Sequence, residues 1–505
     1  MPNVLRIEAA PLRTLLGEIA EFCDANGVAA YATGGFLRDA LLGVPIRDID
    51  LTVAGDPLEM GPPLADALGG TYFPLREERG QARILLGALD LHIDLMPLRA
   101  PDIEADLRLR DYTVDALGAA LGELAVGEAK IIDPTGGLAD LRSRVVRMTG
   151  ENALVDDPLR LLRGPRIATQ FGFQIEPETA AAIRRNAGRL PEAAVERQRD
   201  ELIRIFATER AADGTRLLDQ LGLFAGILPE MEVTRGVEQP KEHHYDVLGH
   251  SLAAVRALDM LLGEQRSAAS PARQLWDEVW GALEWCTDLR GYFGEEIVPG
   301  TPRRALLKLC GLLHDIGKPE TKSIEAGGRM RFFGHSDAGA RIAGGLMRRL
   351  RFSSRETAMV EAMIDAHLRP VQLGESADGG RPSKRAIYRF FRDTADAGIE
   401  TLFLSLADHL ATVGPNVSID GFRRHVALTA YILHVRFDDE TTLSPRRLVD
   451  GDDLMAALGI GPGAAIGELL EAVREAQAAG EIETREQALS LARARLAESS
   501  ASAGE

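Results

Sequence analysis

The spacing of apolar residues changes along the chain. Residues 28–32 form a short apolar run, and residues 46–53 and 89–96 alternate between apolar and polar positions, so each of these segments predicts a β-strand. Apolar residues recur at helical spacing over 12–22, and from residue 140 the helical pattern continues almost to the end. We therefore predict an α+β fold, in which a mixed sheet with helices at the N-terminus precedes an all-α remainder.

The strongest local signal lies directly after the first predicted strand. Gly34 and Gly35 occupy a strand-to-helix turn, where glycines let backbone N–H groups approach a phosphate closely. Asp48 and Asp50 are two residues apart on the next predicted strand, so their carboxylates share a face and suit Mg²⁺ in two-metal phosphoryl transfer. Asp94 on the strand at 89–96 is placed to join them as a third carboxylate, although an ordinary strand-face aspartate is the alternative.

Composition restricts the class of protein. The 505 residues include 58 basic and 76 acidic side chains, a net charge of −18, which argues against a nonspecific polyanion binder. A local basic groove remains compatible with this charge, because residues 142–210 are rich in arginine. The three cysteines form no zinc or disulfide pattern, and no apolar run approaches membrane-spanning length. We expect a soluble, cytoplasmic protein that does not bind membranes.

The first motif combines the glycine pair with the two aspartates. The string GG-x-x-RD-x-LLG-x-x-x-x-D-x-D, from Gly34 to Asp50, resembles the signature of the class II tRNA nucleotidyltransferase and bacterial poly(A) polymerase family. The resemblance implies that Asp48 and Asp50 hold Mg²⁺ and that Gly34, Gly35 and Arg38 bind the nucleotide. A lone glycine pair or a lone DxD would be weak evidence, whereas the combined string is specific.

A second segment, RDYTVDA from Arg110, resembles the RRD-[FL]-T-x-N-A motif of the same family. The resemblance implies that Arg110 contacts the sugar and phosphates of the nucleotide, whereas an Arg–Asp pair at a helix start is the alternative. The sequence departs from the motif at Leu109, which replaces an arginine, and at Asp115, which replaces an asparagine. These changes concern the positioning of the sugar rather than the fold.

A third segment, DDPLRLLRGPR, resembles the nucleotide-selecting ED-x-x-R helix. Asp157 and Arg160 lie about one helical turn apart, so they offer acceptors and donors together to the Watson–Crick edge of a base. Arg163 and Arg166 follow on the same helix as a stripe of positive charge directed toward the triphosphate. The alternative is that Asp157 caps the helix and the arginines form a solvated face. The Gly-Pro step at 164–165 departs from the family pattern, and its proline predicts a kink that affects base selection.

Two further segments resemble the same family. Residues 196–201, ERQRDE, match the ER-x-x-x-EL neck helix, and their spacing predicts intrahelical ion pairs with a structural role. Residues 448–491 resemble the helical tail of long bacterial members, where contacts with tRNA are expected. The resemblance therefore covers nearly the whole chain.

Nine of the ten histidines follow residue 242, and four side chains there resemble the metal ligands of the HD phosphohydrolase superfamily. Imidazoles with carboxylates suit Ni²⁺, Mn²⁺, Co²⁺ or Fe²⁺ more than Mg²⁺, and a bound metal would activate water for attack on phosphorus. A lone buried histidine is usually structural, so the four-part match carries the prediction. The expected ligands are His250, His314, Asp315 and Asp408 for one metal, and His335 and His367 for a possible second metal.

Together these segments predict four domains. They are a nucleotidyltransferase head at 1–150, a helical nucleotide-selecting and RNA-binding neck at 151–235, an HD-type metal domain at 236–415 and a helical tail at 416–505 that contacts tRNA. The expected reaction is template-independent, Mg²⁺-dependent addition or repair of the 3′-terminal CCA of tRNA from CTP and ATP, with release of pyrophosphate. The sequence predicts no oligomeric state.

Three alternatives remain at this point. In the first alternative, the chain is an enzyme that adds only A or only CC, or a poly(A) polymerase. The Gly-Pro step at 164–165 keeps the partial-adding version open. Alternatively, it is an HD-domain phosphohydrolase whose head merely binds nucleotide or RNA. A noncatalytic tRNA-binding protein is disfavoured, because both metal constellations are complete in sequence.

Overall fold

The computed structural model describes residues 3–87, 89–263, 271–286, 288–376, 381–416, 418–438 and 447–502. The chain forms two compact units. The N-terminal unit comprises Met1–Glu201 and Leu217–Ile227, and the C-terminal unit comprises Leu202–Arg216 and Leu228–Glu505. The four domains expected from the sequence are a finer division than these two units and remain a prediction.

A mixed sheet of six strands forms the centre of the N-terminal unit. Its strand order is β4-β5-β6-β3-β2-β7, with β3 parallel to β6 and the other neighbours antiparallel. The strands of this unit, including those outside the sheet, are β1 (Val4–Arg6), β2 (Ala30–Thr33), β3 (Asp48–Val53), β4 (Thr71–Arg76), β5 (Gln81–Leu86), β6 (Leu91–Pro97), β7 (Gly118–Ala120), β8 (Glu128–Lys130), β9 (Val145–Val146) and β10 (Gln174–Ile175). The three strands predicted from apolar spacing are β2, β3 and β6, so the mixed sheet is confirmed.

Alternation along β3 places the two aspartates of the first motif. Ile49 and Leu51 are fully buried, so Asp48 and Asp50 lie on the opposite face of the sheet. The parallel register sets Asp50 beside Asp94 of β6 and Asp48 beside His92. The carboxylates of the neighbouring strands therefore emerge on one side of the sheet.

Helices cover the sheet and continue beyond it. The amphipathic helix expected at 12–22 is α1, which buries Leu15, Leu16 and Ile19. The helices that begin in the N-terminal unit are α1 (Ala10–Ala25), α2 (Gly34–Leu42), α3 (Pro57–Leu68), α4 (Ile103–Arg108), α5 (Leu121–Ala125), α6 (Gly137–Ser143), α7 (Glu151–Asp156), α8 (Arg160–Phe171), α9 (Pro177–Asn186), α10 (Val195–Phe206) and α12 (Phe224–Ile227); α11 (Ala211–Gln220) begins in the C-terminal unit and ends in this one.

The C-terminal unit is helical, as the sequence predicts, apart from two short antiparallel ladders. These ladders pair β11 (Glu296–Val298) with β12 (Thr301–Pro302), and β13 (Ser323–Ile324) with β14 (Met330–Arg331). The helices are α13 (Pro229–Glu232), α14 (Val247–Leu262), α15 (Pro271–Ala282), α16 (Leu289–Tyr292), α17 (Arg303–Leu313), α18 (Lys318–Thr321), α19 (His335–Arg349), α20 (Ser354–Ala366), α21 (Arg369–Glu375), α22 (Lys384–Thr394), α23 (Gly398–Val413), α24 (Ile419–Asp438), α25 (Gly451–Leu458), α26 (Ala464–Ala478) and α27 (Arg485–Ser502).

Two features of this unit bear on function. Helices α14, α17, α20 and α23 pack against one another and bring the expected metal ligands to the middle of the unit. The last three helices share a small apolar core that includes Leu454, Leu469 and Val473. Among the described helices, none combines the length and the apolar character that a membrane span requires.

Candidate functional site

The turn at Gly34 and Gly35 brings the start of α2 against Asp50. Gly34 has a φ of +68°, which a residue with a side chain adopts only with strain. A Cβ there would lie 3.1 Å from Asp50 Oδ2 and 3.0 Å from Arg110 Nη1, and a Cβ on Gly35 would lie 3.3 Å from Asp50 Oδ2. The Phe36 N–H donates to Asp50 Oδ2 at 3.2 Å. Glycine is therefore needed at position 34 for conformation and space, whereas at position 35 its role is to leave space beside Asp50.

The two aspartates of β3 differ in environment. The side chain of Asp48 is 61% exposed, and its Oδ1 lies 3.2 Å from His92 Nδ1. Burial, and secondarily the neighbouring Asp94, raises the pKa of Asp50 to about 6, although Arg110 acts in the opposite direction. A cation bound beside Asp50 would favour its charged form.

Asp94 lies beside Asp50 but already has a partner. Arg83 donates to both of its carboxylate oxygens, with Nε–Oδ1 at 2.6 Å and Nη2–Oδ2 at 2.7 Å. Among the described residues, the groups of at least three ligand atoms within 4.8 Å of one another lie in the C-terminal unit, and the aspartates of the head form no such group. The role of Asp94 as a third catalytic carboxylate stays a prediction.

Two arginines are fixed beneath the glycine turn. Arg110 donates to the hydroxyls of Thr33 and Thr52 at 3.0 and 2.8 Å. Arg38 is buried and ion-paired with Asp115, the residue that replaces the asparagine of the family motif. The substitution therefore supplies a charged partner for Arg38, and the structure brings both expected nucleotide-binding arginines to the same turn.

The expected base-reading pair lies at the start of α8. Two arginines approach Asp157: Arg197 Nη2 donates to its Oδ2 at 2.8 Å, and Arg79 Nη1 lies 3.7 Å away. Burial acts to raise the pKa of Asp157, but Arg197, the Leu159 N–H and Arg160 together lower it below its ordinary value. The Arg160 guanidinium donates to backbone carbonyls, at 2.9 Å to that of Ala153 and 3.4 Å to that of Leu109. Because α8 begins only at Arg160, Asp157 is not its capping residue.

The arginines that follow on α8 face different neighbours. Arg163 Nη1 lies 3.1 Å from Asp111 Oδ2, next to the motif that contains Arg110. Arg166 is buried and donates from Nε to Glu201 Oε2 of α10 at 2.6 Å. The expected stripe toward the triphosphate is therefore divided, since Arg163 faces the head whereas Arg166 faces the neck helix.

The neck helix makes ion pairs both within itself and with other elements. Arg199 pairs with Asp200 inside α10, as the spacing predicts, whereas Arg197 and Glu201 pair with Asp157 and Arg166, which lie outside it. The i, i+4 spacing that allows intrahelical pairs also aligns side chains on one face toward another helix. Arg197 is a candidate site residue that the sequence did not reveal, because its partner lies 40 residues away.

The expected metal ligands converge in the C-terminal unit. His250 Nε2 lies 3.0 Å from Asp408 Oδ1, 3.2 Å from Asp315 Oδ2 and 3.1 Å from His314 Nε2. A second group shares Asp315 with His335 and His367, whose Nε2 atoms are 3.4 Å apart. We call these residues the histidine cluster: His250, His314, Asp315, His335, His367 and Asp408.

Backbone contacts orient the imidazoles of the histidine cluster. The Nδ1 atoms of His314, His335 and His367 lie 2.9, 2.8 and 2.6 Å from the carbonyl oxygens of residues 311, 332 and 364. Because a carbonyl only accepts, each Nδ1 carries the proton, and the Nε2 lone pair is left for a metal. Burial lowers the pKa of His367 to about 4, which keeps this imidazole neutral.

Charge is concentrated around the same cluster. Burial lowers the pKa of His314, but Asp315 and Asp408 raise it overall to about 10. Lys318 Nζ lies 2.6 Å from Asp315 Oδ2, on the helical turn that follows it, so its spacing in LLHDIGKP could have identified it. A cavity of about 460 Å³ opens here, and Arg331 and Phe333 contribute to its wall. The donors fit a divalent transition metal.

Three family models of known domains match parts of the chain. The chain matches the family models of the poly A polymerase head domain over residues 30–147, of the probable RNA and SrmB-binding site of polymerase A over 172–234, and of the HD domain over 279–413.

Two relatives span almost the full length. The chain is 35% identical to the A-adding tRNA nucleotidyltransferase of Deinococcus radiodurans, with 91% of this chain and 94% of that protein covered. It is 33% identical to the CC-adding tRNA nucleotidyltransferase of Thermus thermophilus, with 91% and 92% covered. A solved CCA-adding enzyme with CTP shares the fold, with a TM-score of 0.59, 20% identity, and 98% of this chain and 100% of that one covered. The chain therefore belongs to the family of tRNA nucleotidyltransferases and bacterial poly(A) polymerases, carries an HD domain, and is a nucleotidyltransferase.

Proposed function

We propose that the chain adds or repairs the 3′-terminal CCA of tRNA, using CTP and ATP without a nucleic-acid template and releasing pyrophosphate. The observation that carries this proposal is the glycine turn, which places the Phe36 amide in the first turn of α2 and the Arg110 guanidinium against Asp50. The relatives named for A addition and CC addition to tRNA support the substrate. A cytoplasmic location follows from that substrate.

The residues of the head fit a magnesium ion. Asp48 and Asp50 offer only oxygen donors, which is the donor type Mg²⁺ prefers, and they share a face of β3. The raised pKa of Asp50 reflects a buried carboxylate that lacks a neighbouring cation strong enough to offset burial. When bound, Mg²⁺ would neutralise phosphate charge and activate the attacking hydroxyl. Asp94 would contribute by sharing its carboxylate between this site and Arg83.

The other head residues bind and orient the nucleotide. The space that Gly34 and Gly35 leave lets phosphates approach the N-terminus of α2, and Arg38 and Arg110 add positive charge held in place by their partners. The 3′ hydroxyl of tRNA attacks the α-phosphate, the new O–P bond forms, and the bond to pyrophosphate breaks. Positioning and electrostatic stabilisation therefore supply most of the catalysis.

Base selection is assigned to Asp157 and Arg160. Because Arg197 donates to both oxygens of the Asp157 carboxylate, at 3.4 Å to Oδ1 and 2.8 Å to Oδ2, it fixes the plane in which that carboxylate meets a base. Arg160 would exchange its contacts with backbone carbonyls for contacts with the base. Arg163 assists from the side of the head, whereas Arg166 supports α8 through its buried pair with Glu201.

Addition of only part of CCA is the second candidate. The relatives that span almost the whole chain are named as adding A alone or CC alone, at 35% and 33% identity. Both assignments use the same head chemistry, so they differ only in the nucleotide that α8 admits. A poly(A) polymerase is a variant of the same reaction.

For the histidine cluster we propose a bound divalent transition metal and a phosphohydrolase activity such as that of a phosphatase or 2′,3′-cyclic phosphodiesterase. The imidazole Nε2 atoms and carboxylates, oriented by backbone carbonyls, support this assignment. The four domains expected from the sequence, including a tail that contacts tRNA, remain part of the proposal.

A primer-extension assay tests the main proposal. A tRNA lacking CCA is incubated with CTP alone, with ATP alone, or with both. Complete addition predicts two residues from CTP alone and a full CCA end from both nucleotides. Incorporation of A but never C contradicts complete CCA addition and supports the second candidate, and long A tails indicate a poly(A) polymerase.

A further inference from the structure

The hydroxyl of Tyr112 contacts the first turn of α8 from outside the helix. Tyr112 is fully buried, and its hydroxyl donates to the Arg160 carbonyl at 2.6 Å. In an α-helix the carbonyl of residue 160 also accepts from the N–H of residue 164, and α8 is helical from Arg160 onward. The tyrosine is therefore a second donor to the carbonyl of the first helical residue. Burial raises the pKa of Tyr112, so the hydroxyl keeps the proton that it donates.

The Gly-Pro step at 164–165 leaves room for the tyrosine ring. A Cβ on Gly164 would lie 2.8 Å from Tyr112 Cζ and 3.2 Å from its Cε1, so a larger residue would displace the ring. Pro165 has no N–H and cannot donate to the Leu161 carbonyl, so one step at the start of α8 lacks its helical hydrogen bond. The Tyr112 hydroxyl supports the same turn from outside the helix.

Tyr112 belongs to the segment that places Arg110. It pairs with Met148 in an isolated antiparallel bridge, and the next residue, Thr113, donates its N–H to the Arg147 carbonyl at 2.9 Å. The carbonyl of Arg110 accepts from the Thr149 hydroxyl. These contacts fix the segment that carries both Arg110 and the Tyr112 hydroxyl.

We propose that Tyr112 is a positioning residue for nucleotide choice, because its hydroxyl holds the Arg160 carbonyl and so sets where Arg160 and Asp157 stand relative to Arg110. The inference rests on the proposed base-reading role of Asp157 and Arg160. Without the hydroxyl, the Arg160 carbonyl keeps only its partner within the helix, the first turn of α8 is no longer bonded to the segment that contains Arg110, and the Arg160 side chain moves with its backbone.

The test compares Tyr112→Phe with the wild-type full-length chain. Single-turnover addition of CTP and of ATP is measured on one tRNA primer, and the ratio of the two kcat/KM values is the readout. We expect the ratio to change about fivefold or more, the effect of one lost neutral hydrogen bond. Tyr292→Phe is the matched control, since this tyrosine also loses a hydroxyl bonded to Glu400 and Arg303 but lies outside the proposed sites.

A second pair of variants separates the hydroxyl from the packing. Gly164→Ala should shift the ratio and also lower thermal stability, because its Cβ meets the Tyr112 ring. The double variant Tyr112→Leu with Gly164→Ala should recover stability without recovering the wild-type ratio. Recovery of both would show that packing alone matters and would overturn the inference.

The remaining outcomes are distinguishable. A ratio that stays within about twofold of wild type in Tyr112→Phe, less than one hydrogen bond is worth, overturns the positioning role while leaving the proposed function intact. A change of similar size in Tyr292→Phe also overturns it, because the effect would then not be specific to α8. A wild-type chain that adds neither nucleotide to any tRNA primer overturns the inference and the proposed function together.

Discussion

The two candidate metal sites of the chain differ in how many ligands the protein supplies. One is the glycine turn with Asp48 and Asp50, and the other is the histidine cluster of the C-terminal unit. In the head, one carboxylate is exposed and the other is shielded. In the histidine cluster, His250 alone has three potential ligand atoms within 3.2 Å of its Nε2. We infer that the head is completed by the phosphates of a nucleotide, whereas the cluster provides enough ligands from protein alone.

The carboxylates of the two sites also differ in the direction of their pKa shifts. Burial raises the pKa of Asp50 to about 6. Burial also acts to raise the pKa of Asp315 and Asp408, yet both fall well below the usual range, since Lys318 and the histidines supply positive charge. We infer that the head needs a cation to favour the charged form of Asp50, whereas the aspartates of the cluster already have positively charged neighbours. Each prediction below removes one part of this contrast.

The largest expected effect follows from Asp50→Asn. Loss of the shielded carboxylate should lower the rate of nucleotide addition by about 10³-fold or more, because charge stabilisation at the reacting phosphate is lost. The transition-metal content of the same preparation should not change. Asp66→Asn, an exposed aspartate on α3, is the control and should behave as wild type. Addition at more than about a tenth of the wild-type rate would be inconsistent with the assigned role.

The second prediction concerns Asp315→Asn. This residue belongs to both ligand groups of the histidine cluster, so the variant should lose bound transition metal, as measured by elemental analysis. Nucleotide addition with Mg²⁺ should stay within about twofold of wild type, since Asp315 is not among the residues assigned to the transferase reaction. A metal content equal to that of wild type would show that the cluster does not bind metal as proposed.

A smaller effect is expected for Arg197→Ala. Without its ion pair, the Asp157 carboxylate should lose its fixed orientation, and kcat/KM for the preferred nucleotide should fall about tenfold. The loss should come with more frequent addition of the wrong nucleotide, measured by sequencing of product ends. Arg199→Ala on the same helix is the control. Equal losses for CTP and ATP would argue against a role in base selection.

The smallest effect tests a buried histidine outside the cluster. Burial, and then His409, lowers the pKa of His425 from 6.5 to about 4. Between pH 7 and 5.5 the unfolded chain takes up a proton that the folded chain refuses, so stability falls as the pH falls, by about 1 kcal/mol from this group. In denaturant unfolding of His425→Gln, the loss of unfolding free energy between pH 7 and 5.5 should be about 1 kcal/mol smaller than in wild type. An unchanged pH dependence would mean that His425 does not contribute.

Short-range patterns explain what could be predicted. The alternation along β3 placed Asp48 and Asp50 on one face, and the resemblance to HD proteins identified ligands from separate helices that do converge. The clamp of Arg83 on Asp94 could also have been found, because the two residues are register partners in adjacent strands.

Contacts between helices far apart in sequence could not be predicted. Arg197 reaches Asp157 and Tyr112 contacts α8 only because of how whole elements pack, and one sequence carries no signal for that packing. The same limit applies to the Gly-Pro step at 164–165. The step is visible in the sequence, whereas the tyrosine that packs against Gly164 comes from a segment far from it in the chain.

The most direct test of the transferase assignment is the stoichiometry of the reaction. Pyrophosphate release and nucleotide incorporation are measured together on a tRNA lacking CCA, with CTP and ATP, for wild type and Asp50→Asn. The proposed function predicts one pyrophosphate for each nucleotide incorporated, and the loss of both signals in the variant. Release of phosphate from nucleotides without incorporation, or signals that persist in the variant, would contradict transfer at the glycine turn.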